Sequence, residues 1–165
     1  MAHKFFVVRA ADVEPFTLPE GGTVFDSQLI IGPDEAGSSD LHLHRFTLHA
    51  RQVNDTGAHA ANDEAYYVLS GRGRLLLGGR IPDGAGAEVF DLEPGVTAFI
   101  PAGTPHGMEN NTDEDLVMLT IWPRKPALGA NPIHTGRIQA WGTSFRLRPG
   151  RDYVESHPVE DRSSI

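Results

Sequence analysis

The chain contains no cysteine in its 165 residues. That excludes disulfides and any metal site built on thiolates. It has no window that gathers five like charges, and its arginines are scattered over an acidic background of net charge −8. Without a basic groove such a surface repels phosphates, so nucleic acid is excluded as a partner. Long apolar runs are missing too: near the N-terminus only Phe5 to Val8 are continuously apolar before Arg9 interrupts them. That run is too short for a signal-peptide core or a membrane span, and the expected setting is cytoplasmic, away from membranes. Finally, no long window carries a 3.6-residue apolar period free of glycine and proline, so helix should be scarce.

What the sequence does have is punctuation. Its 18 glycines and 12 prolines are spread along the chain and not collected in one linker. Short apolar or alternating runs lie between them: LHLHRFTLHA (41–50), EAYYVLS (64–70), GRLLLGG (73–79), AEVFDL (87–92), VTAFIPA (96–102) and LVMLTIW (116–122). Strands of this length, rich in Val, Leu, Phe and Tyr, with turn residues between them, predict an all-β sandwich or barrel. A chain of this length is one domain, able to bury roughly 70% of its unfolded surface. We divide it into an arm with strand candidates KFFVV and TVFDSQLII (1–40), a barrel core (41–122) and a C-terminal extension (123–165). In the extension, Trp141, Thr143, Phe145 and Leu147 share one parity, while RDYVESHPVEDRSSI reads as solvated.

The chemistry-bearing residues are histidines and a glutamate. GAHAANDEAYYVLSG carries His59 and Glu64, and GVTAFIPAGTPHGMEN carries His106. Imidazole and carboxylate are the ligands that borderline and harder divalent metals accept. Two His and one carboxylate with open positions are the set used in non-haem iron chemistry. In the second segment Pro101 and Pro105 fix their own φ, so His106 sits in a stiff turn and not in a helix.

These two segments resemble the motifs of the cupins, small β-barrels of the jelly-roll type. The second cupin motif, G-x5-P-x-G-x2-H-x3-N, is matched at every position by Gly95, Pro101, Gly103, His106 and Asn110. In the first motif, G-x5-H-x-H-x3,4-E-x6-G, His59 matches the second histidine, Glu64 the glutamate and Gly71 the closing glycine. The chain departs at two places: Gly57 stands where the first histidine belongs, and Arg51 where the leading glycine belongs. The resemblance implies an all-β, cupin-type double-stranded β-helix, with extensions at both ends. It also implies one divalent transition metal per chain (Fe, Mn, Ni or Zn) held by His59, Glu64 and His106. A homodimer is expected, because barrels of this family commonly pair and because the two flanks need somewhere to bury Phe5, Phe6, Trp141 and Phe145.

Gly57 leaves one coordination direction to fill. Water or substrate is the first choice, and His44 the second, because His42 and His44 share strand parity with Phe46 and Leu48. His49 has the opposite parity, Asn62 and Asp63 read as turn formers, and His134 and His157 carry no pattern. Parity and proximity to the motifs nominate Tyr66, Val68, Phe99, Gln52, Met108 and Trp122 as pocket residues. Two classes of function then compete. One is a metal-dependent enzyme on a small oxygenated molecule, dioxygenase-like or cyclase-like, with a metal-dependent isomerase as a variant. The other is a non-catalytic small-molecule-binding or sensory cupin, which the loss of a ligand at Gly57 favours.

Overall fold

A computed structural model describes residues 6–15, 24–31, 41–59, 63–123 and 154–155. The strands are β1 (Phe6–Val7), β2 (Phe25–Ile31), β3 (Leu41–Leu48), β4 (Val53–Gly57), β5 (Glu64–Ser70), β6 (Gly73–Leu77), β7 (Glu88–Leu92), β8 (Thr97–Ile100), β9 (His106–Glu109), β10 (Leu116–Pro123) and β11 (Val154–Glu155). A single 3-10 turn, Ala10–Asp12, is the only helical element among the described residues. No helix there is long and apolar enough to cross a membrane.

The strands form a five-stranded sheet, β2-β3-β10-β5-β8, a four-stranded sheet, β4-β9-β6-β7, and the short pair β1-β11. All pairings are antiparallel. Non-consecutive neighbours such as β3-β10 and β6-β9 are the long connections of a double-stranded β-helix. Period-2 burial is clearest in β5. In β5, Glu64, Tyr66 and Val68 are buried, while Tyr67 and Leu69 face outward. In β10, the central strand of the larger sheet, Leu116, Met118 and Trp122 all point inward. The core gathers Phe25, Phe46, Leu48, Leu75, Leu92 and Ile100 from both sheets around them. Each such side chain contributes about 1.5–3 kcal/mol by leaving water.

The N-terminal arm closes one flank of the larger sheet. Val13 is fully buried, and Gln28 donates from Nε2 to the carbonyls of Ala10 (2.6 Å) and Val13 (2.8 Å). Arg45 in turn donates to Gln28 Oε1 at 3.0 Å. One turn admits only glycine: Gly71 has φ +78°, and a Cβ there would meet the Asp115 carbonyl oxygen at 2.1 Å.

The structure adds two strands that the runs did not single out, β4 and β9. VNDTG and HGME carry Asn, Asp and Gly, residues depleted in strands, and only their mutual pairing and that with β6 holds them extended. Within the stretch read as solvated, Val154 and Glu155 pair with Val7 and Phe6. The expectations resting on Phe5, Trp141, Thr143, Phe145, Leu147, Asn62, His134, His157 and the Phe6 side chain lie outside the described residues.

Candidate metal centre

Two loops and two strand starts converge at one end of the barrel. His59 follows β4, Glu64 opens β5 and His106 opens β9. Because β5 belongs to the larger sheet and β9 to the smaller, Glu64 and His106 meet across the barrel. The loops are tied to one another. The Gly103 amide donates to the His59 carbonyl at 2.7 Å, and the Ala102 amide to Asp63 Oδ1 at 2.9 Å. The Thr104 amide closes the turn on the Pro101 carbonyl at 3.1 Å, with Gly103 at φ +79°. Asp63 therefore acts as a clasp between the two motifs.

The ligand atoms of His59, Glu64 and His106 all lie within 4.8 Å of one another. Glu64 Oε2 is 3.1 Å from His59 Nε2 and 3.3 Å from His106 Nε2. This buried carboxylate oxygen thus faces two imidazole nitrogens. His106 fixes the polarity of the arrangement. Its Nδ1 is 2.8 Å from the Thr104 carbonyl, which can only accept, so Nδ1 carries a proton and Nε2 is turned to Glu64. In the neutral ring Nε2 is a lone pair that a metal ion can share with the carboxylate; in the imidazolium it carries the proton that takes the metal's place. A backbone carbonyl behind a ligating histidine is also the usual support of a metal site. The residues present therefore fit a divalent metal.

The titration behaviour is that of the metal-free site, where the imidazoles act as donors to the carboxylate. Burial alone would raise the Glu64 pKa, but the His106 and His59 imidazoles beside it outweigh burial and hold it at about 2. Burial works to lower the His106 pKa, yet the Glu64 carboxylate and the Thr104 carbonyl carry it upward overall. Burial and the adjacent Glu64 charge push the Tyr66 hydroxyl well above its ordinary value, so it stays a neutral phenol.

Beside the three residues lies a cavity of about 60 Å³. Of the nominated pocket residues, Tyr66, Met108 and Trp122 line it. Three do not. Val68 is packed in the core beyond the cavity, and Gln52 stands outside it, its carbonyl accepting the Asn110 amide at 2.8 Å. Phe99 points away, 64% exposed, because Ile100 takes the inward position of β8 opposite Glu64. Parity counted from Pro101 missed this, since the chain turns after Ile100.

Gly57 pairs with His106 across the β4-β9 ladder and lines the cavity, and a Cβ built there would meet nothing within 4 Å. His44 lines the same cavity, buried, with Nδ1 3.0 Å from Ser27 Oγ. Ser27, Asn54, Asp55 and Thr120 also line it, and isolated small polar residues of this kind carry no spacing signal in a sequence. Among the motif residues, Asn110 holds the β9-β10 turn. Its Nδ2 donates to the carbonyls of Leu48 (3.1 Å) and Glu114 (2.7 Å), and its Oδ1 accepts from the Thr112 amide (3.0 Å). Gly95 sits at φ +90° in the turn before β8.

Comparison with known proteins agrees with this architecture. The glucose-6-phosphate isomerase of Thermococcus gammatolerans is 38% identical over 66 residues, which are 40% of this chain and 33% of that protein. The match thus spans only a third of that relative's length. Among solved structures, the polyketide cyclase RemF from Streptomyces resistomycificus superposes with a TM-score of 0.59 at 21% identity, covering 84% of this chain and 96% of that one. KdgF from Halomonas sp. gives a TM-score of 0.56 at 20% identity, covering 73% and 95%. The Cupin domain family model matches residues 37–122, which contain both motifs and the whole triad. The chain belongs to the cupin superfamily.

Proposed function

We propose that the chain is a metal-dependent cupin enzyme acting on a small oxygenated organic molecule, in a dioxygenase-like or cyclase-like reaction. The observation that supports this most is the buried Glu64 carboxylate set between the Nε2 atoms of His59 and His106, with one ligand atom of each residue within 4.8 Å of the others. When bound, a divalent metal would supply Lewis acidity to an oxygen of the substrate. The chain's own residues do the rest. Thr104 keeps His106 in the tautomer that presents Nε2, and Asp63 and Gly103 hold the two ligand loops in register. Tyr66 is a neutral phenol beside Glu64 and can donate a hydrogen bond to a substrate oxygen. Phe46, Met108 and Trp122 give the cavity apolar walls that limit water around the reacting atoms.

The isomerase variant draws support from the relatives named glucose-6-phosphate isomerase. The cavity argues against a sugar phosphate for this chain. No Lys or Arg lines it among the described residues, while Asp55 and Glu64 bring carboxylates to it. A neutral molecule, or one that chelates through oxygen, suits that surface better.

A second reading, a binding module without turnover, is favoured by Gly57, which removes one ligand of the full motif. Two experiments separate the readings. Metal content of the purified and reconstituted protein is measured first; oxygen uptake and product formation are then followed with small hydroxy- and oxo-compounds. Metal retention with turnover supports the enzyme. Ligand binding without turnover, with or without metal, supports the module.

A further inference from the structure

The cavity has a second polar face that the triad does not use. His44 on β3 pairs with Thr120 on β10, and Thr120 pairs with Tyr66 on β5. All three are buried and line the cavity, so an imidazole and two hydroxyls run in one row across three adjacent strands. Ser27 extends the row, its Oγ 3.0 Å from His44 Nδ1. The Trp122 ring neighbours both this face and the triad, with ring centroids 5.8 Å from His44 and 4.6 Å from His59. Buried polar side chains cost free energy relative to apolar ones of the same size, and Leu48 and Met118 show that apolar residues fit neighbouring inward positions of the same strands.

We infer that Ser27, His44 and Thr120 form a ligand-recognition subsite for a neutral hydroxyl or carbonyl oxygen, in the same cavity as the triad. The ligand it takes is a small two-headed molecule: one oxygen function goes to the triad and a second, uncharged one to His44. This inference rests on the reading of His59, Glu64 and His106 as a metal centre. Burial, reinforced by His42 and opposed by Glu64, lowers the His44 pKa to about 4. At neutral pH its imidazole is thus uncharged and suited to a neutral oxygen, not to a carboxylate. The cavity's 60 Å³ corresponds to roughly four to six water-sized spaces, so the enclosed part of the ligand is a fragment of a few carbons.

The test uses acids that differ only in the second head: 3-hydroxypropionate against propionate, and 4-hydroxybutyrate against butyrate. Zinc is first titrated calorimetrically into wild type and into His44→Phe and Ser27→Ala, which tests the metal reading on its own. Each acid is then added to 15N-histidine-labelled protein, with and without zinc, and the His44 side-chain resonances are followed by NMR. The expected result is that a hydroxylated acid shifts the His44 resonances and binds the zinc form about tenfold tighter than its parent. Both variants lose that advantage and keep their zinc. If zinc does not bind, the metal reading fails, and the subsite is judged by the His44 shifts in metal-free protein. Equal responses to hydroxylated and parent acids, no response in either form, or loss of zinc from His44→Phe would overturn the inference.

Discussion

His106 Nε2 lies 3.3 Å from Glu64 Oε2 while His106 Nδ1 donates to the Thr104 carbonyl 2.8 Å away. The second contact decides the meaning of the first. With Nδ1 committed to a backbone acceptor, Nε2 is the nitrogen turned to the carboxylate, where a metal ion and a proton compete for it. Glu64→Gln keeps the shape and removes the charge. It should weaken metal binding by at least about 100-fold, beyond the 10–100-fold typical of lost supporting groups. Calorimetric titration with zinc checks it, and an unchanged affinity would show that the carboxylate is not a ligand.

Gly57 offers the opposite test. A side chain there meets open space, and the residue pairs with His106. Gly57→His should therefore fold normally and tighten metal binding by about tenfold or more, since it adds a donor to an incomplete set. Where the wild type turns over a substrate, the variant should bind metal better and react more slowly. A weaker metal affinity than wild type would mean the open side of the cavity does not adjoin the metal.

Acid should destabilise the fold through His44. Its pKa falls from 6.5 in the unfolded chain to about 4 when folded, so the unfolded state takes the proton more readily. The stability is fully present above pH 6.5 and is lost as pH falls towards 4. Between pH 7.5 and pH 5 the loss from this group is about 2 kcal/mol. Urea unfolding of wild type and His44→Gln at both pH values measures it. The variant's pH dependence should be smaller by about that amount, and equal slopes would contradict the assignment.

Arg51 occupies a left-handed conformation, φ +62°, at the position where the first cupin motif has glycine. Left-handed backbone costs a residue with a Cβ about 1–2 kcal/mol. Its side chain offsets part of this by donating to Asp113 Oδ1 (2.8 Å) and the Asn111 carbonyl (2.7 Å), both at an exposed surface. Arg51→Gly removes the bonds and the strain; Arg51→Ala removes only the bonds. The glycine variant should be the more stable of the two by about 1 kcal/mol in denaturant unfolding. An alanine variant equal or superior to it would show that the backbone there is not strained.

Much of the centre was legible in the sequence because its signals are local. The turn Pro101–Gly103–His106–Asn110 and the spacing from His59 to Glu64 to Gly71 are short-range patterns. They emerged as a clasped pair of loops and an Asn110-tied turn. Six of the barrel strands were visible as apolar runs. What stayed hidden depends on pairing across the chain. β4 is extended because β9 lies beside it, not through its own composition. Phe99 turns outward because Ile100 is the residue that faces Glu64 across the β5-β8 ladder. Ser27 and Thr120 reach the cavity through sheet register, which no local spacing encodes.

The account's central claim is that His59, Glu64 and His106 hold a divalent metal. Its most direct test is the metal stoichiometry of the purified chain, reconstituted anaerobically with Fe(II), Mn(II), Ni(II) or Zn(II), desalted, and measured by elemental analysis beside His106→Ala. The account predicts one ion per wild-type chain for at least one of these metals, and little above background in the variant. Because the raised His106 pKa sets protons in competition with the metal, retention should fall as pH is lowered. Wild-type protein that holds no more metal than His106→Ala, under every reconstitution, would contradict it.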